Sequence, residues 1–431
     1  MSDATKTTID LSKQSALVID YGYFPGLARA LGGKGGFGTV YYATNWHGYN
    51  PTPDKAWMGK DVPGIIHLEE YEDVLKLVDL IAYFDVGDSA RQSALRTDGK
   101  KVFGADGAIE LDRAIFKQVL TDANLPQPPY EVIYGVDALR EYLQKNENLW
   151  VKIDSKWRGI KETWFHEDWE TSYTTVDELS HKLGCFRKDF RWIVEQPWPG
   201  IEGGADYFYS GGKVLPIGTQ GYEEKNELYL CKAIPVEQMS KAVRNVQTAM
   251  DPFREMWNTC GAVSTEVRIL DEAAYGYKVG DGYFLDATER AGSPPAEIIG
   301  GLYTNFPHII RACANGEMIT PSPRAKYAAQ VILKSSQAIC ESCPVSFEKG
   351  FEDRLKFRRQ CYVDGQLFII PMHEDEIIGA AVGYGRTREE AEDQALEAAD
   401  KVHCKELYWN GSFDCIHETI EIAEELGMGK F

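Results

Sequence analysis

Over the first hundred residues, short apolar runs alternate with segments of helical spacing. SALVIDYG (15–22) reads as a buried strand, FPGLARALGGKGG as a helix closed by glycines, and TVYYATNW (39–46) as a second strand. EEYEDVLKLVDL has helical periodicity, and IAYFDVGD reads as a third strand. Strands that alternate with helices predict a parallel, doubly wound sheet. KKVFGADGA then makes a strand and a turn around Gly104 and Gly107.

The next segment, AIELDRAIFKQVLTDANLPQPPYEVI, places Ile109, Leu111, Ile115, Phe116, Val119 and Leu120 at near-helical spacing. Its helix stops by Asn124, before Pro126, Pro128 and Pro129. A helix at GVDALREYLQ precedes the strand LWVKID, and the charged loop SKWRGIKET follows it. RWIVEQPWPGIEGGADYFYSGGKVLPIG holds two strands around a Pro/Gly hinge, with a hairpin at Gly211-Gly212. VSTEVRIL and GYFLDAT are two further strands joined as a hairpin. PSPRAKY marks a last boundary. Beyond it lie short strands and the helix TREEAEDQALEAADKV, opened by Thr387 with Glu390 as a capping box. No internal repeat or low-complexity linker interrupts the chain.

The pattern predicts a multidomain α/β and α+β protein: an N-terminal doubly wound domain (1–107), a central domain (108–320) with a subdomain at about 130–200, and a C-terminal α+β domain (321–431). The length of 431 residues agrees with several cores rather than one. With 44% hydrophobic and 12% aromatic residues, the composition is that of a folded chain.

A net charge of −20 argues against a nucleic-acid backbone or an anionic membrane as partner, and restricts phosphate binding to a local basic pocket. No stretch approaches the ~20 apolar residues of a membrane helix, and MSDATKTTIDLSKQ has no signal-peptide core. The expectation is a soluble cytoplasmic protein, monomeric or homodimeric, acting on small molecules. Nine scattered cysteines include one CxxC, Cys340 to Cys343, with no second pair at zinc spacing, so reduced thiols are expected.

Candidate chemistry centres on DATER (286–290), which ends the strand GYFLDAT just before Gly292, Pro294 and Pro295. Charges at strand ends are common. The other reading is a divalent-metal and phosphate site, because carboxylates hold Mg²⁺ through oxygen and a guanidinium neutralises phosphate oxygens. Further residues fit that second reading in order. Arg113 lies on the helix before PQPP, Lys152 in LWVKID, Glu195 at the end of RWIVE, Gln196 and Trp198 in the hinge, Glu202 in GIE, and Glu266 in STEVRIL.

This ordered set resembles the ATP-grasp superfamily, and within it most closely the phosphoribosylamine–glycine ligase (glycinamide ribonucleotide synthetase) family. VFGADGAIELDRAIFKQVLTDANLPQPPYEV, TERAGSPPAEII and the tail IIGAAVGYGRTREEAEDQALEAADKV carry the resemblance over roughly residues 100 to 400. It implies the ATP-grasp fold, with the N-terminal domain preceding the ATP-grasp unit, and ATP with Mg²⁺ or Mn²⁺ as cofactors. Lys152 would contact the ATP phosphates, and Arg113 stands where the family usually has lysine. Glu195, Gln196 and the backbone near Trp198 would read adenine, and Glu202 the ribose hydroxyls. Glu266 and Asp286 would hold the metal, with Thr288 where an asparagine ligand is usual, and Arg290 would steady the transferred phosphate. Lys225, Asn226 and Arg268 would serve the acceptor side. Glu289 falls where a proline is expected.

Three departures set this chain apart. DYGYFPGLARAL lacks the family's Gly-Arg-Glu-His turn, and KVLPIGTQGYEEKNELYLCKAI lacks its glycine-rich substrate loop. The lid loop after Lys152 keeps only Gly159 and adds Lys156, Arg158 and Lys161, so that either side-chain cations replace the usual backbone N–H donors or the loop binds another anion. The resemblance implies an ATP-dependent carboxylate–amine ligase with a rewritten substrate pair. The rival expectation is an ATP-binding regulatory or scaffold protein without turnover.

Overall fold

The computed structural model describes residues 9–44, 55–105, 107–154, 163–373 and 375–431. The N-terminal unit is built from β1 (Ser15–Asp20), α1 (Pro25–Leu31), β2 (Thr39–Thr44), β3 (Ile66–His67), β4 (Leu80–Tyr83), α2 (Ser89–Thr97) and β5 (Val102–Phe103). Its sheet is parallel throughout, in the order β3-β2-β1-β4-β5. β1 and β4 are buried along almost their whole length, as expected of strands covered on both faces. EEYEDVLKLVDL does not form the helix its spacing predicts, and only Val74–Lys76 makes a single tight turn. Leu75 is buried there, but Leu77 is 77% exposed, so no apolar face exists to hold a longer helix against the sheet.

Two helices follow, α3 (Ala108–Leu111) and α4 (Arg113–Asp122). Asp112 caps α4 by accepting from the Ile115 N–H at 2.8 Å. The next unit comprises β6 (Tyr130–Tyr134), α5 (Val136–Leu143), β7 (Leu149–Ile153), β8 (Thr163–His166), α6 (Trp169–Leu183) and β9 (Arg191–Glu195). Its antiparallel sheet runs β6-β9-β7-β8, and α5 and α6 pack Leu139, Leu143, Val176 and Leu179 against Val151 and Trp192.

The remainder is organised around one large antiparallel sheet. Its first strands are β10 (Ile201–Ser210), β11 (Lys213–Val214), β12 (Ile217–Glu224) and β13 (Leu228–Pro235). The helix α7 (Lys241–Met256), the hairpin β14 (Gly261–Ile269) and β15 (Gly282–Thr288), and the helices α8 (Ala296–Leu302) and α9 (Phe306–Ala314) come next. Then follow β16 (Tyr327–Ser335), β17 (Cys343–Phe347), β18 (Leu355–Phe357), β19 (Gln360–Val363), β20 (Gln366–Ile369), β21 (Ile377–Gly385), α10 (Arg388–Asp400), β22 (Val402–His403), β23 (Leu407–Tyr408) and α11 (Asp414–Glu425). The sheet order is β15-β14-β10-β12-β13-β16-β21-β18, with β11 and β23 at its margins. β13 pairs directly with β16 from the C-terminal region, so one continuous sheet crosses the PSPRAKY segment. A smaller sheet, β19-β20-β17-β22, closes the C-terminal end.

Thr387 caps α10 by accepting from the Glu390 N–H at 3.2 Å, but the Glu390 carboxylate reaches the Arg386 N–H instead of that of Thr387, so only half of the predicted box forms. All nine cysteines are free thiols.

Candidate active site

Strand alternation directs Lys152 away from the core that its neighbours Val151 and Ile153 enter. On the adjacent strand Glu195 is buried, and Lys152 Nζ lies 2.6 Å from its Oε1. Lys117, on the apolar face of α4, reaches Oε2 at 2.5 Å and donates to the Tyr283 hydroxyl at 2.7 Å. That hydroxyl donates in turn to Glu195 at 3.2 Å. Burial alone would raise the Glu195 carboxyl, but the Lys152 and Lys117 ammoniums overcome it and hold the group down to about 2. Lys117 is pushed down to about 8, by burial first and by Lys152 repulsion, against the pull of Glu195.

Lys117 escaped the sequence reading. Its one signal is a lysine inside the apolar stripe AIFKQVL, where a charge requires a buried partner.

The hinge after Glu195 is held by aromatic packing. Gln196 donates its N–H to the Pro129 carbonyl at 3.0 Å, and its side chain is exposed. Trp198 is 3% exposed and packs among Tyr275, Tyr277 and Tyr283, with ring centroids 6.1, 5.4 and 5.4 Å away. The β10–β14 register sets Glu202 opposite Arg268, and the two form an ion pair. Arg268 also donates to the Trp198 carbonyl at 3.4 Å.

The β14–β15 pairing sets Glu266 opposite Asp286 and Ser264 opposite Thr288. Oxygens of Glu202, Glu223 and Glu266 lie within 4.8 Å of one another, the one such acidic group among the described residues. Burial raises the Glu266 carboxyl to about 8, reinforced by the Glu202, Asp286 and Glu223 charges. Glu223 is raised by burial and by the Glu202 and Asp206 charges, with Lys225 opposing. An all-oxygen donor set crowded with negative charge suits a hard divalent cation such as Mg²⁺ or Mn²⁺. A cavity of about 210 Å³ opens over these carboxylates, with Lys225, Thr288, Arg290 and Pro294 in its walls.

Arg290 is oriented from behind by Glu110, whose Oε1 accepts from its Nε at 2.9 Å and whose Oε2 accepts from the Glu289 N–H at 2.7 Å. Glu289, the residue where proline is expected, is buried against Arg254 in an ion pair. It anchors the strand end that carries Arg290. Arg113 donates to the Ile153 carbonyl at 2.6 Å, and its Nη2 stands 3.8 Å from Asp286. Asn226 does not line the cavity. It occupies the left-handed position (φ 61°) of the β12–β13 turn, where Glu227 N–H donates to the Glu224 carbonyl at 2.9 Å. Lys156, Arg158, Gly159 and Lys161 lie outside the described residues.

The sequence set thus gathers into two neighbouring clusters. Lys152 and Glu195 meet across the β7–β9 pair, and Glu202, Lys225, Glu266, Thr288 and Arg290 line one cavity. Glu110, Lys117, Glu223 and Tyr283 join them without having been anticipated.

No protein-family model matches the chain, and no curated protein matches it by sequence. Solved structures do. The phosphoribosylamine–glycine ligase of Thermotoga maritima superposes over 92% of this chain and 99% of its own, with a TM-score of 0.66 at 19% identity. The biotin carboxylase domain of the Hydrogenobacter thermophilus 2-oxoglutarate carboxylase, solved with MgADP and bicarbonate, covers 97% and 96% with a TM-score of 0.63 at 15% identity. An L-amino acid ligase from Bacillus licheniformis covers 92% and 100%, with a TM-score of 0.56 at 15% identity. The chain has the ATP-grasp fold that these ligases share.

Proposed function

We propose that the protein is an ATP-dependent carboxylate–amine ligase that forms an amide through an acylphosphate, joining glycine or another small amino acid to a nucleotide- or sugar-linked amine. One observation carries this reading: Glu266, which lines the cavity together with Arg290, is paired across β14–β15 with Asp286, and Arg113 stands 3.8 Å from Asp286. A protein that only bound nucleotide need not keep such a clamp of carboxylates and guanidiniums for a metal and a phosphoryl group.

In the proposed mechanism, Lys152 and Lys117 meet the nucleotide at the lid face, the Trp198 hinge borders the base, and Glu202 takes the ribose hydroxyls once Arg268 yields its contact. Glu266 and Asp286, with the Thr288 hydroxyl beside them, would hold Mg²⁺ or Mn²⁺, which offsets charge on the phosphoryl oxygens. Arg290, fixed by Glu110, stabilises the phosphoryl group as the substrate carboxylate attacks it and ADP leaves. The amine then displaces phosphate from the acyl carbon. Catalysis on this account is orientation and fixed charge rather than a protein nucleophile.

Thr288 in place of an asparagine ligand favours the second reading, a regulatory ATP-binding protein without turnover. Among the described residues no helix is long and apolar enough to cross a membrane, and we place the protein in the cytoplasm as a monomer or homodimer. Phosphate release from Mg-ATP, screened over amino acids crossed with amines, decides between the two readings. Release that requires one of each supports the ligase, and nucleotide binding without release under every pair supports the regulatory protein.

A further inference from the structure

The cavity over the sheet has an ordered floor. Side chains on one face of antiparallel strands fall into rows across the sheet, two residues apart along each strand. The β10–β12, β10–β14 and β14–β15 registers place Asp206 in one such row with Thr219, Ser264 and Thr288. The next row holds Gly204, Gly221, Glu266 and Asp286. Neighbouring rows are roughly 7 Å apart, two rises of an extended strand. Asp206 therefore stands one row from the carboxylates proposed for the metal, at the end of the cavity farther from Glu202.

Asp206 is held but not satisfied. Its Oδ2 accepts from the Thr219 hydroxyl at 2.9 Å and from the Tyr229 hydroxyl at 2.9 Å. Its Oδ1 is buried and makes no well-formed hydrogen bond, although the Ser264 side chain stands close enough to favour the ionised carboxylate. Neither cation of the cavity wall, Lys225 or Arg290, forms an ion pair with it among the described residues. A carboxylate oxygen buried without a partner is costly, and such a site gains most from a charged donor. The glycines beside it keep the floor open. A side chain at Gly221 would stand 2.6 Å from the Tyr229 hydroxyl that positions Asp206.

We propose that Asp206 is the amine-recognition residue of the cavity, binding a protonated primary amine through Oδ1 with the Ser264 hydroxyl alongside. The inference rests on the ligase reading and adds to it the charge state in which the amine arrives. One row of separation sets such an ammonium roughly 7 Å from the Glu266–Asp286 row, a span that a carboxylate and its transferred phosphoryl group can fill. The ammonium has two sources: the α-ammonium of the amino acid whose carboxylate is activated, which stays protonated throughout, or the acceptor amine, which must pass one proton to a base before its lone pair attacks the acyl carbon.

Calorimetric titration of the full chain, loaded with Mg²⁺ and a non-hydrolysable ATP analogue, tests the assignment. The probes are methylammonium, glycine and glycolate. The expected result is that an amine-bearing probe binds, glycolate does not, and Asp206→Asn weakens the amine tenfold or more while leaving nucleotide affinity unchanged. A loss confined to glycine identifies the amino acid as the source, and a loss shared with methylammonium identifies a general amine pocket for the acceptor. Tyr229→Phe, which frees Oδ2 without removing the charge, is expected to give a smaller loss. Equal amine affinity in wild type and Asp206→Asn, or no amine binding by the loaded wild type, overturns the assignment. Failure of the wild type to bind nucleotide overturns the ligase reading and the assignment with it.

Discussion

Replacing Glu195 with glutamine removes one charge from a buried cluster of three. The carboxyl is held near 2 against an ordinary value of 4.5, and each pKa unit corresponds to about 1.4 kcal/mol, so its ionised form contributes about 3 kcal/mol at neutral pH. The same cluster depresses Lys117 from 10.5 to about 8, a cost of about the same size. The two terms nearly offset, as is typical of a buried ion pair measured against apolar replacements. Glu195→Gln should therefore cost about 3 to 5 kcal/mol, because Lys117 stays buried without its counter-charge. The double replacement Glu195→Met with Lys117→Met should cost much less than the sum of the single changes.

Chemical denaturation followed by tryptophan fluorescence measures Glu195→Gln, the two single methionine replacements and the double replacement. The sign with pH is also fixed. A depressed carboxyl contributes in full above its unfolded value of 4.5 and loses that contribution as pH falls toward 2, so the gap between wild type and Glu195→Gln should narrow below about pH 4.5. Additive single and double costs, or a gap that does not change on acidification, would refute the reasoning.

Three further outcomes follow from separate contacts. Arg254→Met removes the ion pair that Arg254 makes with the buried Glu289 and should cost about 3 to 5 kcal/mol in the same denaturation assay, more than Arg254→Met combined with Glu289→Leu. Asn226→Val forces a branched residue into a left-handed turn and should cost about 1 to 2 kcal/mol, whereas Asn226→Gly should be nearly neutral. Thr387→Ala removes the α10 cap and should cost about 1 kcal/mol, visible as a lower denaturation midpoint.

The parallel sheet of the N-terminal unit was legible because its strands are continuous apolar runs, and the β14–β15 hairpin because polar and apolar residues alternate along it. The segment at 69–80 misled because helical spacing alone does not say whether a face has anything to pack against; Leu77 points into solvent. Pairings far apart in sequence were not legible. Nothing near Leu228 announces β16, although the register joins Leu228 to Val331 and carries the central sheet past the boundary read at PSPRAKY. The same holds for the site. Residues that end a strand beside a turn, such as Asp286 and Arg290, stand out in a string of letters. Lys117, Glu110 and Glu223 acquire a role only through partners 78, 180 and 43 positions away, respectively Glu195, Arg290 and Glu266. Glu289 looked anomalous for the same reason: its partner is Arg254, buried on α7.

The account's central claim is that a substrate carboxylate attacks ATP and is activated as an acylphosphate. The most direct measurement supplies the amino acid with ¹⁸O in both carboxylate oxygens, together with Mg-ATP and the amine that supports turnover, and reads the isotope content of the released phosphate by mass spectrometry. The account predicts one ¹⁸O in the phosphate for every amide formed, and no labelled phosphate from Asp286→Ala. Amide formed with unlabelled phosphate would contradict it.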